Sequence, residues 1–230
     1  MRIALRAIWT LAGTLALYLG LSLLGWGVAD VRGFFSSAPR LAYAVVIALF
    51  GVAVAYQAAA SPEGIEGSSG LKEKRVPRQS AVGYAMLLVL AIGLILLPLC
   101  DRRGLAILPE SPFVRWPGVI LTAIGYALVL LSGIYLGRQY SAEVTIQKDH
   151  QLITAGPYRR IRHPRYLGIL LVTLGATLVF RTWAGLVLFP FVLVMLLWRI
   201  KDEEALMARE FGNEWRTYCR RTWRLVPYMY

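Results

Sequence analysis

Four long uncharged runs constrain this chain more than any other feature of its sequence. Residues 7–29, 41–62, 79–100 and 116–137 each extend for 22 or 23 positions without Asp, Glu, Lys or Arg. A helix needs about 20 apolar residues to cross the hydrocarbon core of a bilayer, and buried helices of soluble proteins have shorter runs. The sequence therefore predicts membrane-spanning helices, and its hydrophobic content of 57% agrees with this interpretation.

Two shorter apolar runs, 166–180 and 182–198, follow the first four. Only Arg181 and Thr182 separate their cores, so we expect an antiparallel helical hairpin. Small residues allow membrane helices to approach closely, and those available to this hairpin are Gly168, Gly175, Ala176 and Gly185. The predicted fold is an all-α, polytopic integral membrane protein with about six membrane helices. We divide it into four N-terminal spans (1–137) and a C-terminal core with the hairpin (138–230).

The basic residues indicate the orientation of these helices. The net charge of +12 could suggest nucleic acid, but the Lys and Arg residues lie in the gaps between apolar runs. That distribution is typical of membrane topology and of contact with anionic headgroups. With six spans, one side carries 19 Lys and Arg residues and the other carries 6. We therefore expect both termini and the polar stretch before the hairpin to be cytoplasmic, and we expect no nucleic-acid partner.

Three other segments carry simpler predictions. The first apolar run is too long for a signal peptide, so we interpret it as a retained span. The tail 203–230 mixes aromatic residues with arginines, which is typical of an amphipathic segment lying on the membrane interface. Cys100 and Cys219 fall on opposite sides of the predicted membrane and are expected to be free thiols. The loop 61–79 is rich in Gly and Ser and then basic, and its role stays open.

Both histidines lie in the polar stretch 150–168, the longest such passage in the chain. His163 precedes Pro164, and proline is favoured at the first position of a helix. His163 is thus expected at a helix cap, where free backbone N–H groups favour an anionic ligand. A purely structural cap is the alternative. Two histidines without cysteines or carboxylates at ligand spacing make a poor metal site, so no metal is expected.

A second polar cluster begins at the end of the last apolar run. Arg199 and Glu203 are four residues apart and share a helix face. They could form an ordinary surface ion pair, but charged groups at the membrane end of an apolar helix are usually functional. Asp202 and Glu204 point to other faces and are expected to be solvated.

At these residues the chain resembles the isoprenylcysteine carboxyl methyltransferase family and, more distantly, the phospholipid methyltransferases. The resemblance covers roughly residues 137–227, in four ordered segments. The matching segments are His150-x-Leu152-Ile153-x-x-Gly156-Pro157-Tyr158, Arg162-His163-Pro164-x-Tyr166-x-Gly168, Arg199-x-x-x-Glu203-Glu204 and Phe211-Gly212-x-x-Trp215-x-x-Tyr218. The family often has Tyr where Trp215 stands.

The resemblance implies an integral membrane enzyme that uses S-adenosylmethionine. Glu203 would hold the polar end of this cofactor, and Arg199 would be the catalytic residue that binds the methyl acceptor. The resemblance assigns the cofactor pocket to His150, Gln151, Leu152, Ile153, Tyr158, His163, Pro164, Arg165, Tyr166 and Glu203. A further cofactor contact before His150 would be Glu143 or Gln147.

The acceptor implied by the resemblance is a lipophilic molecule with an isoprenylcysteine-like carboxylate, entering from the bilayer. Two other readings remain. The first keeps the cofactor but transfers the methyl group to a phospholipid amine or a small thiol, which would have to lose a proton. The second is a non-catalytic membrane scaffold or small transporter, which predicts polar residues within the spans.

Overall fold

The structure is a computed structural model that describes residues 2–60, 74–75, 78–137, 145–146 and 151–229. Within these ranges the chain is almost entirely helical. The α-helices are α1 (Arg2–Leu15), α2 (Leu21–Trp26), α3 (Val31–Phe35), α4 (Ala38–Ala60), α5 (Arg78–Arg103), α6 (Pro112–Leu136), α7 (Pro164–Val179) and α8 (Trp183–Arg221). A π-helical turn (Ala16–Gly20) joins α1 to α2, and short 3-10 turns cover Val28–Asp30 and Gly156–Arg159. Two-residue strands β1 (Lys74–Arg75) and β2 (Thr145–Ile146) pair antiparallel.

Five helical segments in the described residues are long and apolar enough to cross a membrane. They are Ile3–Trp26, Ala38–Ala60, Ala81–Arg103, Pro112–Leu136 and Trp183–Arg221. The sixth predicted span is the shorter apolar helix α7. The prediction of an all-α, polytopic membrane fold is confirmed. The physical basis of this fold is that no water reaches the backbone inside a bilayer, so its N–H and C=O groups must form hydrogen bonds with each other within the same helix.

The last helix continues past the apolar run, as the shared helix face of Arg199 and Glu203 predicts. α8 extends over 39 residues and includes most of the amphipathic tail. Its direction changes at Gly212, where φ is +51° and ψ is −113°. A side chain is strained at such a positive φ, so glycine is the residue that permits this kink. The polar cluster at 199–204 therefore follows the apolar run within the same helix.

The most extensive helix contact in the described residues is between α6 and α7, and it depends on glycine. A Cβ atom built at Gly168 would lie 2.6 Å from the backbone oxygen of Gly125, and one at Gly125 would lie 2.6 Å from the backbone oxygen of Gly168. We predicted that Gly168 would help α7 pack against α8. In the structure it faces α6 instead, whereas Gly185 meets Thr177 within the hairpin.

A buried carboxylate joins several helices at the end of the bundle opposite to the polar stretch. Asp101, whose side chain is 2% exposed, accepts from Arg115 at 2.9 Å, Arg181 at 3.0 Å and Arg40 at 3.3 Å. These arginines come from α6, the α7–α8 turn and α4, and Asp101 itself lies in α5. We call this group the Asp101 cluster. Because buried charges are stable only when they are paired and hydrogen-bonded, the cluster holds these four elements in one arrangement.

Candidate functional site

The start of α7 is joined to the C-terminal segment by backbone hydrogen bonds. The N–H of Trp223 donates to the carbonyl of Arg160 at 2.8 Å, and the N–H of Arg162 donates to the carbonyl of Trp223 at 2.8 Å. The N–H of His163 donates to the carbonyl of Arg224 at 3.1 Å. His163 caps α7, as predicted, but its side chain makes no capping hydrogen bond. The imidazole is therefore directed to another partner.

That partner is Glu204, which we expected to be solvated. Its side chain is only 13% exposed and lies 3.0 Å from Arg162, 3.3 Å from His163 Nε2 and 2.7 Å from Arg224. The prediction was wrong because α8 turns this face toward the start of α7 rather than toward water. Burial would raise the pKa of Glu204, but hydrogen bonds from His163, Arg224 and Arg162 lower it to about 2. Glu204 is thus ionised and holds three basic side chains together beyond the apolar run.

The hydroxyl of Tyr166 connects the two residues to which we assigned the acceptor and the cofactor. It donates to Glu203 Oε2 at 2.6 Å and accepts from Arg199 Nε at 2.9 Å. Arg199 and Tyr166 are buried, and the Tyr166 ring stacks on His163 with ring centres 5.5 Å apart. Hydrogen bonds with an ionised partner are shorter and stronger than neutral ones. We call these three side chains the Arg199–Tyr166–Glu203 chain.

Asp202 is also placed differently from the prediction. We expected it to be solvated, but it is 6% exposed and accepts a hydrogen bond from the side-chain amide of Gln79. Gln79 lies in the first turn of α5 and is itself buried. The prediction was wrong because α5 packs against this part of α8. The first four spans are therefore more than a generic membrane anchor, since one of them supplies a polar group beside Arg199.

The remaining predicted cofactor residues differ in how far they are buried. His150, Glu143 and Gln147 lie outside the described residues. Tyr158 is buried, and its carbonyl oxygen accepts from the hydroxyl of Tyr218 at 2.7 Å. The others range from buried to exposed along the same stretch: Pro164 is buried, Leu152, Ile153 and Arg165 are half-buried, and Gln151 is exposed.

Three residues of this region were missed by the sequence reasoning. Glu204 and Arg224 were interpreted as solvated or interfacial, and Gln79 was counted only as the last residue of the loop 61–79 and the first of an uncharged run. For Gln79 a signal did exist, because an amide at the end of a membrane span is a polar group in an expensive place. For Arg224 no local pattern indicates its ion pair, because the partner Glu204 lies 20 positions earlier in the chain.

The arrangement can hold a charged ligand at one end of the bundle. Glu203 offers a carboxylate, Arg199 offers a guanidinium that can bind a carboxylate through paired N–H groups, and the two are held together by Tyr166. Among the described residues there is no group of three His, Cys, Asp or Glu side chains that could bind a metal ion. The arrangement of Arg199, Tyr166 and Glu203 can bind and orient charged groups.

The sequence model of the phospholipid methyltransferase family matches residues 113–214. A probable protein-S-isoprenylcysteine O-methyltransferase of Oryza sativa subsp. indica is 30% identical over 129 residues, which cover 53% of this chain and 65% of the rice protein. A delta(14)-sterol reductase of Mus musculus is 33% identical over 87 residues, 35% of this chain and 20% of the mouse protein. The chain thus spans less than two thirds of the length of these relatives.

One solved structure covers nearly the whole chain. It is the eukaryotic intramembrane Ras methyltransferase, isoprenylcysteine carboxyl methyltransferase, with a TM-score of 0.47 and 16% identity over 94% of this chain and 96% of that one. The match to the phospholipid methyltransferase family model includes nearly all of α6, all of α7 and the polar cluster of α8. On these matches, the chain is similar to protein-S-isoprenylcysteine O-methyltransferases and, over residues 113–214, to the phospholipid methyltransferase family.

Proposed function

We propose that this protein is an integral membrane methyltransferase that uses S-adenosylmethionine to methylate the carboxylate of an isoprenylcysteine-like lipophilic acceptor. The observation that carries the proposal is the Arg199–Tyr166–Glu203 chain, which brings an anion-binding group within two hydrogen bonds of a carboxylate. The rice relative supports the same reaction class by its name.

The residues present fit the cofactor. S-adenosylmethionine carries an ammonium group, and Glu203 is a half-buried carboxylate next to the start of α7. His163 and Tyr166 form a stacked aromatic pair at the same place. In the proposal, Glu203 and this pair hold the cofactor, together with Tyr158 and residues 150–153. When bound, the cofactor supplies a methyl group on a positively charged sulfur.

Arg199 performs the complementary task of holding the acceptor. A carboxylate is already a nucleophile, so its methylation requires no general base. The protein must align it with the methyl group and remove part of its water. Arg199 can bind a carboxylate by two N–H groups at once, which a lysine cannot do. The contact from its Nε to the Tyr166 hydroxyl fixes the plane of the guanidinium before the acceptor arrives.

The position of Arg199 suits a lipophilic acceptor. It ends the apolar part of α8, one residue after Trp198, which is about half exposed on the outer surface of the bundle. A lipid chain can therefore lie in the bilayer beside α8 while its polar end reaches Arg199. The distribution of Lys and Arg predicts that this end of the bundle faces the cytoplasm, from which the polar cofactor would enter.

A second candidate is the methylation of a phospholipid amine, because the matched family model is that of the phospholipid methyltransferases. An amine must lose a proton before it attacks the methyl group. Glu203 and Tyr166 would then act as the route for this proton, and the rate would depend on pH. Ester formation at a carboxylate has no such requirement.

The test uses protein purified in detergent, S-adenosylmethionine with a labelled methyl group, and two acceptors, N-acetyl-S-farnesylcysteine and phosphatidylethanolamine. We expect cofactor binding, and label in a product of the first acceptor that mild base releases as methanol, as an ester requires. Base-stable label in the phospholipid would establish the amine reaction instead.

Two variants and one control complete this test. Arg199→Lys should reduce methylation about 100-fold or more while cofactor binding persists, because lysine cannot bind a carboxylate at two points. Glu203→Ala should weaken cofactor binding. Arg209→Lys, at an exposed position of the same helix, is the matched control and should change neither. Failure of well-folded wild-type protein to bind the cofactor would refute the proposal and favour the scaffold reading.

A further inference from the structure

The C-terminal segment leaves the membrane end of the bundle and then returns to it. Between the end of its apolar run and the kink at Gly212, α8 rises roughly 20 Å. Leu225 nevertheless packs into one apolar cluster with Leu196 and Ile200, where that run ends, and it is 3% exposed. Residues 222–229, which we call the C-terminal strap, therefore lie at the level where the apolar part of α8 gives way to polar residues.

Hydrogen bonds hold one side of the strap against the start of α7. Trp223 forms a parallel bridge with Ile161, and the guanidinium of Arg162 donates to the carbonyl oxygen of Thr222 at 2.6 Å. These bonds use the backbone of the strap and fix its orientation. The strap thus has an inner side, which is packed against the protein, and an outer side.

The outer side carries large apolar side chains. Trp223 is 41% exposed, and Tyr228 and Met229 are 87% and 83% exposed. Tyr228 has a φ of +65°, a conformation that is strained for a residue with a side chain. The turn is closed by the N–H of Met229, which donates to the carbonyl of Val226 at 3.2 Å. A strained turn that directs apolar side chains outward indicates a partner that covers them.

The surface around the strap is strongly basic. Residues 155–170 and 215–230 together contain eight arginines and no Asp or Glu. Glu204 neutralises part of this charge through its ion pairs with Arg162 and Arg224. Five arginines of these stretches remain exposed, namely Arg159, Arg160, Arg216, Arg220 and Arg221. The exposed acids Glu210 and Glu214 lie beside the kink and offset only part of this charge.

We propose that the strap and these five exposed arginines form a binding surface for the anionic phospholipid headgroups of the host membrane. Arginines attract the lipid phosphates, and aromatic side chains such as Trp223 and Tyr228 are favoured at the boundary between headgroups and acyl chains. The level of the strap, at the end of an apolar run, matches that boundary. A second copy of this chain is a poorer partner, because two such surfaces repel each other.

The surface is linked to the candidate site. The N–H of His163 donates to the carbonyl of Arg224 at 3.1 Å, and Leu225 shares its apolar cluster with Tyr166. An anionic lipid bound on the outer side holds the strap against these residues, so the affinity for S-adenosylmethionine rises with the anionic content of the membrane. This consequence rests on the proposed function, whereas the lipid binding does not.

Lipid binding is measured on the full chain without cofactor or acceptor. Detergent-purified protein receives equal amounts of phosphatidylglycerol and phosphatidylcholine with the same acyl chains, and native mass spectrometry counts the retained molecules of each. We expect the wild type to prefer phosphatidylglycerol. Arg220→Gln/Arg221→Gln should reduce this preference about tenfold or more, because each arginine near an anionic surface contributes about fivefold in affinity. Added salt should also weaken the preference, because it screens surface charges.

Two further variants separate the surface from a general effect of charge or stability. Arg32→Gln/Arg103→Gln removes the same charge from exposed positions at the opposite end of the bundle. This control should change the preference by less than about twofold if the strap surface accounts for it. Tyr228→Ser/Met229→Ser removes the exposed apolar side chains, and it should lower the retention of phosphatidylglycerol without lowering the Tm in detergent.

Each part of the inference can fail separately. Equal retention of the two lipids by wild type overturns it, and so does an unchanged preference in Arg220→Gln/Arg221→Gln. A dimer that this variant dissociates, with the lipid preference unchanged, assigns the surface to a second copy and also overturns the inference.

The link to the site is tested in nanodiscs of phosphatidylcholine with and without added phosphatidylglycerol. We expect the anionic lipid to lower the Kd for S-adenosylmethionine in wild type but not in the arginine variant. A Kd that does not depend on phosphatidylglycerol overturns the link. Wild-type protein that retains the anionic lipid but binds no cofactor in either nanodisc refutes the proposed function and leaves the lipid-binding surface intact.

Discussion

Replacing Tyr166 with Phe tests whether the hydroxyl between Arg199 and Glu203 organises the site. The change removes one atom, which accepts from Arg199 Nε at 2.9 Å and donates to Glu203 at 2.6 Å. The ring and its stacking on His163, with an interplanar angle of 13°, remain possible in the variant. The perturbation is thus confined to the two hydrogen bonds.

The expected magnitude follows from the charge of the partners. A hydrogen bond to a charged group contributes about 1.5–3 kcal/mol, and more is lost where a buried partner is left unpaired. If one such bond is used to orient Arg199 in the transition state, kcat/KM for the acceptor falls roughly 10- to 150-fold. The effect should appear mainly with the acceptor, because Arg199 then binds the carboxylate in several orientations.

The assay measures kcat and KM for N-acetyl-S-farnesylcysteine and, separately, the Kd for S-adenosylmethionine. Tyr218→Phe is the matched control, since its hydroxyl is also buried but donates to the carbonyl of Tyr158 and contacts neither Arg199 nor Glu203. The control should show a change in thermal stability with little change in kcat/KM. A loss of less than about twofold in Tyr166→Phe would refute the reasoning, because two charge-assisted hydrogen bonds cannot be lost from a working site at so small a cost.

Three further predictions concern parts of the molecule outside that chain. Asp101→Asn should destabilise the protein by about 3–5 kcal/mol, because it leaves buried arginines without their counter-charge, and this would appear as a large fall in Tm in detergent. Gly168→Ala should lower the Tm because the new Cβ atom would meet the backbone of α6. Gly133→Ala is the control, since a Cβ atom there has nothing within 4 Å, and it should leave the Tm unchanged or raise it. Equal effects of the two substitutions on the Tm would contradict the close contact between α6 and α7. Glu204→Gln should weaken cofactor binding about tenfold by releasing the residues around His163, and Glu214→Gln at an exposed position should not. The pKa of Glu204 is lowered in the folded protein to about 2 from the usual 4.5. The ionised carboxylate therefore stabilises the folded state fully above about pH 5, and this stabilisation is lost as the pH falls toward 2. The Tm difference between wild type and Glu204→Gln should narrow over that pH range.

Much of the architecture could be predicted because the membrane simplifies the problem. A run of 22 uncharged residues has few alternatives to a spanning helix, and α4, α5 and α6 lie within a few residues of their predicted positions. The spacing of Arg199 and Glu203 placed both on one face of α8, and the ordered motifs indicated a similarity to methyltransferases that the sequence comparisons also find. These inferences needed only periodicity, length and local order.

The polar contacts between distant residues could not be predicted in the same way. Asp202 and Glu204 were expected in water, and the structure places them against α5 and the start of α7. Helical periodicity states which residues share a face but not which neighbour covers that face. Gly168 shows the same limit, since a small residue permits close packing without naming the helix that will use it.

The sequence by itself thus determined the membrane helices, their order, and the polar residues available at their ends. Only the tertiary structure decided that Gln79 of α5 meets Asp202, that Tyr166 lies between Arg199 and Glu203, and that Asp101 gathers arginines from three elements. The physical reason is the range of the interactions. Apolar length and helical spacing act within one segment, whereas a buried hydrogen bond or ion pair exists only when two segments have already been brought together by packing.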